Sequence, residues 1–259
     1  MLYSDLTPAS AFAELEMRAS RLIVTRRSAA DRTYRAIGYL DKVIGDDDTA
    51  PTFDFTYLRR VAMDETFVPI VGFRDVWRHY SSSRLFPSFA DRVMSAKRPD
   101  RPQYLAALSL ESDADAWEIL TASGGYREGD PIELVSLPSY EREARVTTAH
   151  FLAHAVRYCA DDASAHISKL KSGDELTLRP DPSNPKDPRA IEIADGDLGL
   201  GFVPSPLLDY VHSVIDGGPH RLSVVRANPA ETHPHLRLLL RLDGRCDEFV
   251  FDRPEWCSA

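Results

Sequence analysis

The chain has 259 residues, 43% of them apolar and 27% charged, with a formal net charge of −9. That balance supports one or two packed domains and is too hydrophobic for a disordered chain. It also excludes a polycationic nucleic-acid coat, because phosphate neutralisation supplies most non-specific affinity. No apolar run reaches the roughly 20 residues needed to cross a bilayer. Met1-Leu2-Tyr3-Ser4-Asp5-Leu6 carries neither the basic flank nor the apolar core of a secretion signal. Three scattered cysteines, Cys159, Cys246 and Cys257, fit a reducing compartment better than a disulfide framework. The expected location is the cytoplasm, with no membrane partner.

In chain order, residues 7–20 predict a helix, with Thr7 as its N-cap and Pro8 in its first turn. Leu22-Ile23-Val24-Thr25 and Thr33–Leu40 predict strands joined by a turn at Ser28-Ala29-Ala30-Asp31. Gly45-Asp46-Asp47-Asp48-Thr49 is an acidic turn. It lacks the alternating ligands and distal glutamate of a calcium loop, so a solvated loop is expected. In Phe53–Leu58 the alternation places Phe53, Phe55 and Tyr57 on one side of a strand. Residues 84–145 turn helical. Phe86, Phe89, Val93 and Met94 fall at helical spacing, as do Tyr104, Leu105 and Leu108. Asp115 to Leu120 then runs into Gly124-Gly125, a helix stop. Pro131–Val135 predicts a strand, and Ser136–Glu143 a linker that marks a domain boundary.

The second half centres on a loop dense with Pro, Asp and Asn. It runs Leu178-Arg179-Pro180-Asp181-Pro182-Ser183-Asn184-Pro185-Lys186-Asp187-Pro188-Arg189-Ala190-Ile191. Proline fixes φ and removes donors, while Asp and Asn bond nearby backbone, so the loop is expected to be stiff. Around it stand Val156-Arg157-Tyr158, expected on an early strand, then Gly173–Leu178, and Gly201-Phe202-Val203-Pro204 before a helix-like Pro206–Val211. These segments, in this order across residues 147–245, resemble the HIRAN family. The resemblance implies a small OB-like β-barrel. It also implies recognition of single-stranded DNA, since HIRAN domains of DNA-remodelling ATPases grip a free 3′ end.

Carried over residue by residue, the resemblance implies that Arg157 contacts phosphate and Tyr158 stacks on an exposed base. Asp187 accepts from the terminal 3′-hydroxyl, and Ser183 donates to a phosphate or a base edge. Lys186 stands where end-binding members have an aromatic, exchanging a stacking platform for a phosphate contact. Phe202 and Ser205 stand where those members have a polar and a basic group. Residues 147–245 hold 11 Lys and Arg against 13 Asp and Glu, so positive charge must be local if a strand is bound.

Residues 30–137 resemble, more loosely, the N-terminal subdomain of HipA-type toxin kinases. The matching segments are Ile37–Leu40, Phe53–Leu58, Leu85–Met94, Tyr104–Leu110 and Trp117–Tyr126. Met94-Ser95-Ala96 replaces that family's Pro-Glu-Gly. No phosphate-cradling glycine loop with its lysine follows, so no kinase is expected.

The sequence shows no catalytic set. There is no G-x-S-x-G, and Cys159 has no base beside it. Among eight histidines, His150 and His154 are four apart and His233 and His235 two apart. No Glu follows His150 as a zincin requires and no C-x-x-C occurs, so these histidines are expected to be structural and no metal or cofactor is assigned. The expected architecture is α+β. A mixed strand-and-helix HipA-N-like domain spans residues 1–140, an OB-like barrel spans 147–245, and a tail spans 246–259. The expected function is non-catalytic recognition of single-stranded DNA or its 3′ end, in repair or defence. The alternative is a regulatory, antitoxin-like partner of a HipA-like kinase.

Overall fold

The computed structural model describes residues 21–44 and 50–259. The helix expected at 7–20 and the acidic turn at 45–49 lie outside the described residues. Two antiparallel sheets organise the rest. The first contains β1 (Arg21–Arg27), β2 (Tyr34–Val43), β3 (Thr52–Tyr57), β4 (Tyr80–Ser82) and β5 (Ile132–Ser136), in the order β4-β3-β2-β1-β5. Four short helices join β3 to β5: α1 (Arg59–Ala62), α2 (Pro87–Ala90), α3 (Arg101–Ala107) and α4 (Ala116–Ser123). Sequence periodicity placed helices at the last three of these and missed how short they are. α4 is set by reciprocal caps: Asp115 Oδ1 accepts from the Glu118 amide at 2.8 Å, and Glu118 Oε2 accepts from the Asp115 amide at 2.6 Å. Gly124 ends it at φ 64°, where a Cβ would lie 2.8 Å from the Leu134 carbonyl oxygen.

Leu22, Ile23 and Val24 are consecutive in β1 and all fully buried. Successive strand residues face opposite ways, so both faces of this sheet must be covered. Leu22 and Val24 join an aromatic core of Phe55, Tyr57, Phe73, Phe89 and Trp117. Ile23, with Tyr39 and Leu58, faces the other way into the core of the second sheet.

That second sheet contains β6 (Ser139–Glu141), β7 (Val146–Leu152), β8 (Glu175–Pro180), β9 (Ile191–Asp195), β10 (Leu198–Phe202), β11 (Arg221–Ala227) and β12 (Leu238–Arg245). Their order is β10-β9-β8-β11-β12-β7-β6. Helix α5 (Asp161–Ile167) follows β7, and α6 (Leu208–Asp216) buries Leu208, Tyr210, Val211 and Val214 against the sheet. Among the described residues the strands do not close into the expected OB-like barrel. β10 and the chain leaving β7 meet at a single antiparallel bridge, His154 to Phe202, with both amide-to-carbonyl distances 2.9 Å. Gly201 makes that approach possible, since a Cβ there would sit 2.9 Å from the His154 carbonyl oxygen.

The stretch expected as a linker is also different. Within it, Ser139–Glu141 is an edge strand paired with β7. Three side-chain interactions hold it there: Thr147 Oγ1 donates to the Ser139 carbonyl at 2.6 Å, the Tyr140 hydroxyl donates to the Cys246 carbonyl at 3.2 Å, and the Tyr140 ring stacks on Phe249 at 4.9 Å.

The C-terminal segment returns to the first sheet. Phe249, Phe251 and Trp256 enter the shared core. The Tyr39 hydroxyl donates to the Trp256 carbonyl at 3.0 Å, and the Ala259 amide to the Tyr57 carbonyl at 2.9 Å. No helix among the described residues is long and apolar enough to cross a membrane.

Candidate nucleic-acid interface

β7 ends at Leu152, and Ala155 then takes a left-handed conformation, φ 60°. That turn converts Val156-Arg157-Tyr158 into one 3-10 turn rather than the expected strand. Val156 is buried and anchors the turn, so Arg157 and Tyr158 project outward. Tyr158 is 69% exposed, which matters because a buried ring cannot stack on a base. Arg157 places its guanidinium carbon 4.6 Å from the ring centre and donates to the Tyr158 hydroxyl at 2.5 Å. From the Pro-rich loop, Lys186 brings its ammonium to 5.7 Å from the same ring centre. An exposed phenol with two cations close to its ring is therefore assembled from two separate segments.

The loop itself is held by its own polar groups. The Asp181 amide donates to the Ala190 carbonyl at 2.8 Å, closing its base. Ser183 Oγ donates to Asp181 Oδ1 at 2.7 Å and Asn184 Nδ2 to Asp181 Oδ2 at 3.1 Å. These two side-chain bonds hold the Asp181 carboxyl below its ordinary range. The Lys186 amide donates to Asn184 Oδ1 at 3.1 Å, which fixes the residue that carries the second cation. Asp187 is half-buried, and its Oδ1 accepts from the Arg189 amide at 2.9 Å. Beyond the loop, Arg189 pairs with Asp209 of α6, and its carbonyl lies 2.9 Å from His212 Nε2. The Asp and Asn side chains of the loop thus bond its own residues, as its composition suggests.

The six residues singled out from the sequence divide into two groups. Arg157, Tyr158 and Lys186 come together at the ring. Ser183 spends its hydroxyl inside the loop, and Asp187 uses one carboxylate oxygen as a cap. Phe202 is half-buried, and its backbone forms the bridge to His154 that leads into the Arg157 turn. Cys159, next in the chain, is half-buried, and burial followed by the Glu192 charge pushes its thiol up, away from nucleophilic character.

A second cluster lies behind this turn. His154 Nε2 is 2.7 Å from Glu133 Oε1, and His235 Nδ1 is 4.0 Å from the same oxygen. His235 Nε2 lies 3.0 Å from the Ser123 carbonyl, while its ring stacks on Tyr126 at 4.5 Å. Burial opposes charge on Glu133, but the His154 charge and hydrogen bond, then the His235 charge, outweigh it and hold the carboxyl low. Burial likewise opposes the His154 cation, and Glu133 overrides it, raising that imidazole. His235 is lowered, chiefly by burial. Glu133 and His154 also line a largely apolar cavity of about 740 Å³ between the two sheets. Sequence reasoning paired His150 with His154 and His233 with His235. It missed this cluster because Glu133, His154 and His235 sit on three distant segments with no shared spacing.

Residues 146–244 match the family described as the HIRAN domain. The crystal structure of the HIRAN domain of human HLTF is similar at 16% identity, covering 39% of this chain and 77% of that one. Its TM-score is 0.30. No curated protein matches the sequence. The HIRAN-domain match thus falls on the part of the second sheet that runs from β7 into β12.

Proposed function

We propose that the chain is a non-catalytic nucleic-acid-binding protein whose HIRAN domain takes single-stranded DNA, at or near a free 3′ end, on Tyr158, Arg157 and Lys186. The observation that carries this reading is the exposed Tyr158 residue with two cations close to its ring. A ring presents a sequence-tolerant stacking face, and the two cations neutralise the phosphates that flank a stacked base. An acidic chain can bind in this way because only a few phosphates are met. Asp187 keeps a second carboxylate oxygen for a terminal hydroxyl, where a continuing phosphate would be repelled. Ser183 and Phe202 then support the loop and the seam rather than the strand itself. The protein acts in the cytoplasm, in repair or defence. The regulatory role beside a HipA-like kinase rests on the resemblance of residues 30–137 alone.

The test is fluorescence anisotropy with short single-stranded oligonucleotides ending in 3′-hydroxyl or 3′-phosphate. Tyr158→Ala is expected to weaken binding by roughly 5- to 150-fold, the about 1–3 kcal/mol of one stacked base. Arg157→Ala should weaken it and flatten the salt dependence by about 0.7 in log–log slope. Equal affinity for both termini removes end recognition. Unchanged affinity in both variants removes the site.

A further inference from the structure

Outside the Tyr158 surface, the chemistry of the chain concentrates where the two sheets meet. We propose that Glu133, His154 and His235 form a site for one divalent transition metal of the zinc class, tying the first sheet to the HIRAN domain. The three donor atoms, a glutamate oxygen, His154 Nε2 and His235 Nδ1, lie within 4.8 Å of one another. Two imidazoles and one carboxylate are a known zinc donor set, and imidazole disfavours the harder calcium and magnesium ions.

The surroundings point the same way. The His235 ring is fixed by its Nε2 contact to the Ser123 carbonyl and by stacking on Tyr126, which leaves Nδ1 directed at Glu133. A metal-bound imidazole is ordinarily held like this, its second nitrogen donating to a carbonyl or carboxylate. The Glu133 side chain is only 5% exposed, so its charge needs a partner; the His154 cation fills that role, and a bound ion takes it over. Side-chain shifts of up to about 1.5 Å are needed, the two imidazole nitrogens closing from as much as 4.8 Å. The 2.7 Å Glu133–His154 contact opens and the 4.0 Å Glu133–His235 contact closes, both toward about 3.3 Å, the edge of a tetrahedron with metal bonds of about 2.0 Å. The ion replaces the proton shared by Glu133 and His154, and that proton leaves to solvent. Water from the cavity that Glu133 and His154 line completes the coordination.

The three donors come from β5, from the chain leaving β7, and from the 3-10 turn Pro234–Leu236. An ion there closes a clasp across the sheet interface. This site is independent of the nucleic-acid reading.

The experiment uses the untagged full-length chain, stripped with chelator and titrated with Zn²⁺ and separately with Co²⁺. One Zn²⁺ equivalent is expected to bind, to raise the thermal midpoint and to be reversed by chelator. Co²⁺ is expected to give the intense visible bands of a four-coordinate site, a readout that needs no variant. Glu133→Gln and His235→Ala, each checked for folding by circular dichroism, should bind Zn²⁺ more than about 100-fold more weakly, beyond the loss that outer-shell changes bring. The exposed His220→Ala should leave binding unchanged. Zn²⁺ affinity that survives in folded His235→Ala overturns the proposal, and so does a stripped wild-type chain that takes up neither metal.

Discussion

Tyr158 is the residue on which the nucleic-acid reading turns, and its position shows why residue identity and residue setting must be read together. The Arg157-Tyr158 pair is expected on a strand, where alternation would send one side chain inward. The left-handed Ala155 instead starts a 3-10 turn, and both side chains reach solvent. His150 carries a different consequence. Burial, then the nearby Arg241 charge, lowers its imidazole to about 4. The unfolded chain binds that proton more readily, so stability from a neutral His150 is present above pH 6.5 and lost as pH falls toward 4. Between pH 7 and pH 5 the loss is about 2 kcal/mol. Urea denaturation of the wild type and His150→Gln at both values checks this. The variant should show a smaller acid loss, and equal losses would place the titration elsewhere.

At the scale of elements, the C-terminal segment does more than end the chain. Trp256 packs edge-on to Phe251 at 4.6 Å, and Arg60 lies over it at 5.1 Å. Its carbonyl receives the buried Tyr39 hydroxyl, whose ionisation burial pushes upward. Trp256→Ala should therefore cost about 3–5 kcal/mol, the range for a large aromatic removed from a core. Chemical denaturation measures it, and a loss below 1 kcal/mol would mean that the segment is only loosely attached. The β10 seam follows the same logic. The glycine of Gly201-Phe202-Val203-Pro204 is the point where two backbones come too close for a side chain, and the proline then leads into the 3-10 turn Ser205–Leu207.

For the whole molecule, the decisive fact is that the HIRAN core is not self-contained. Ile23, Tyr39, Leu58 and Val135 from the first sheet, with Phe249, Phe251 and Trp256, belong to the same cluster as the HIRAN strands. A fragment of residues 141–245 lacks all seven. It should expose their apolar partners, bind a hydrophobic dye and unfold at lower urea than the full chain. Dye binding no greater than that of the full chain would show that the second sheet folds independently.

Several features follow from local chemistry and so were legible in the sequence. β1, β2, β3 and β5 of the first sheet announce themselves by apolar runs and alternation, though the short β4 does not, the α4 stop is marked by Gly124-Gly125, and the internal hydrogen bonding of the Asp181–Ala190 loop by its Asp and Asn content. The HIRAN segment was readable because its motif residues are the ones that turns and close approaches demand. Long-range geometry was not readable. The open seam in place of a barrel, the strand at Ser139–Glu141, the approach of Lys186 to Tyr158 and the meeting of Glu133, His154 and His235 all join residues far apart in the chain. Periodicity and turn chemistry describe neighbours along the backbone, and only packing decides which distant side chains become neighbours in space.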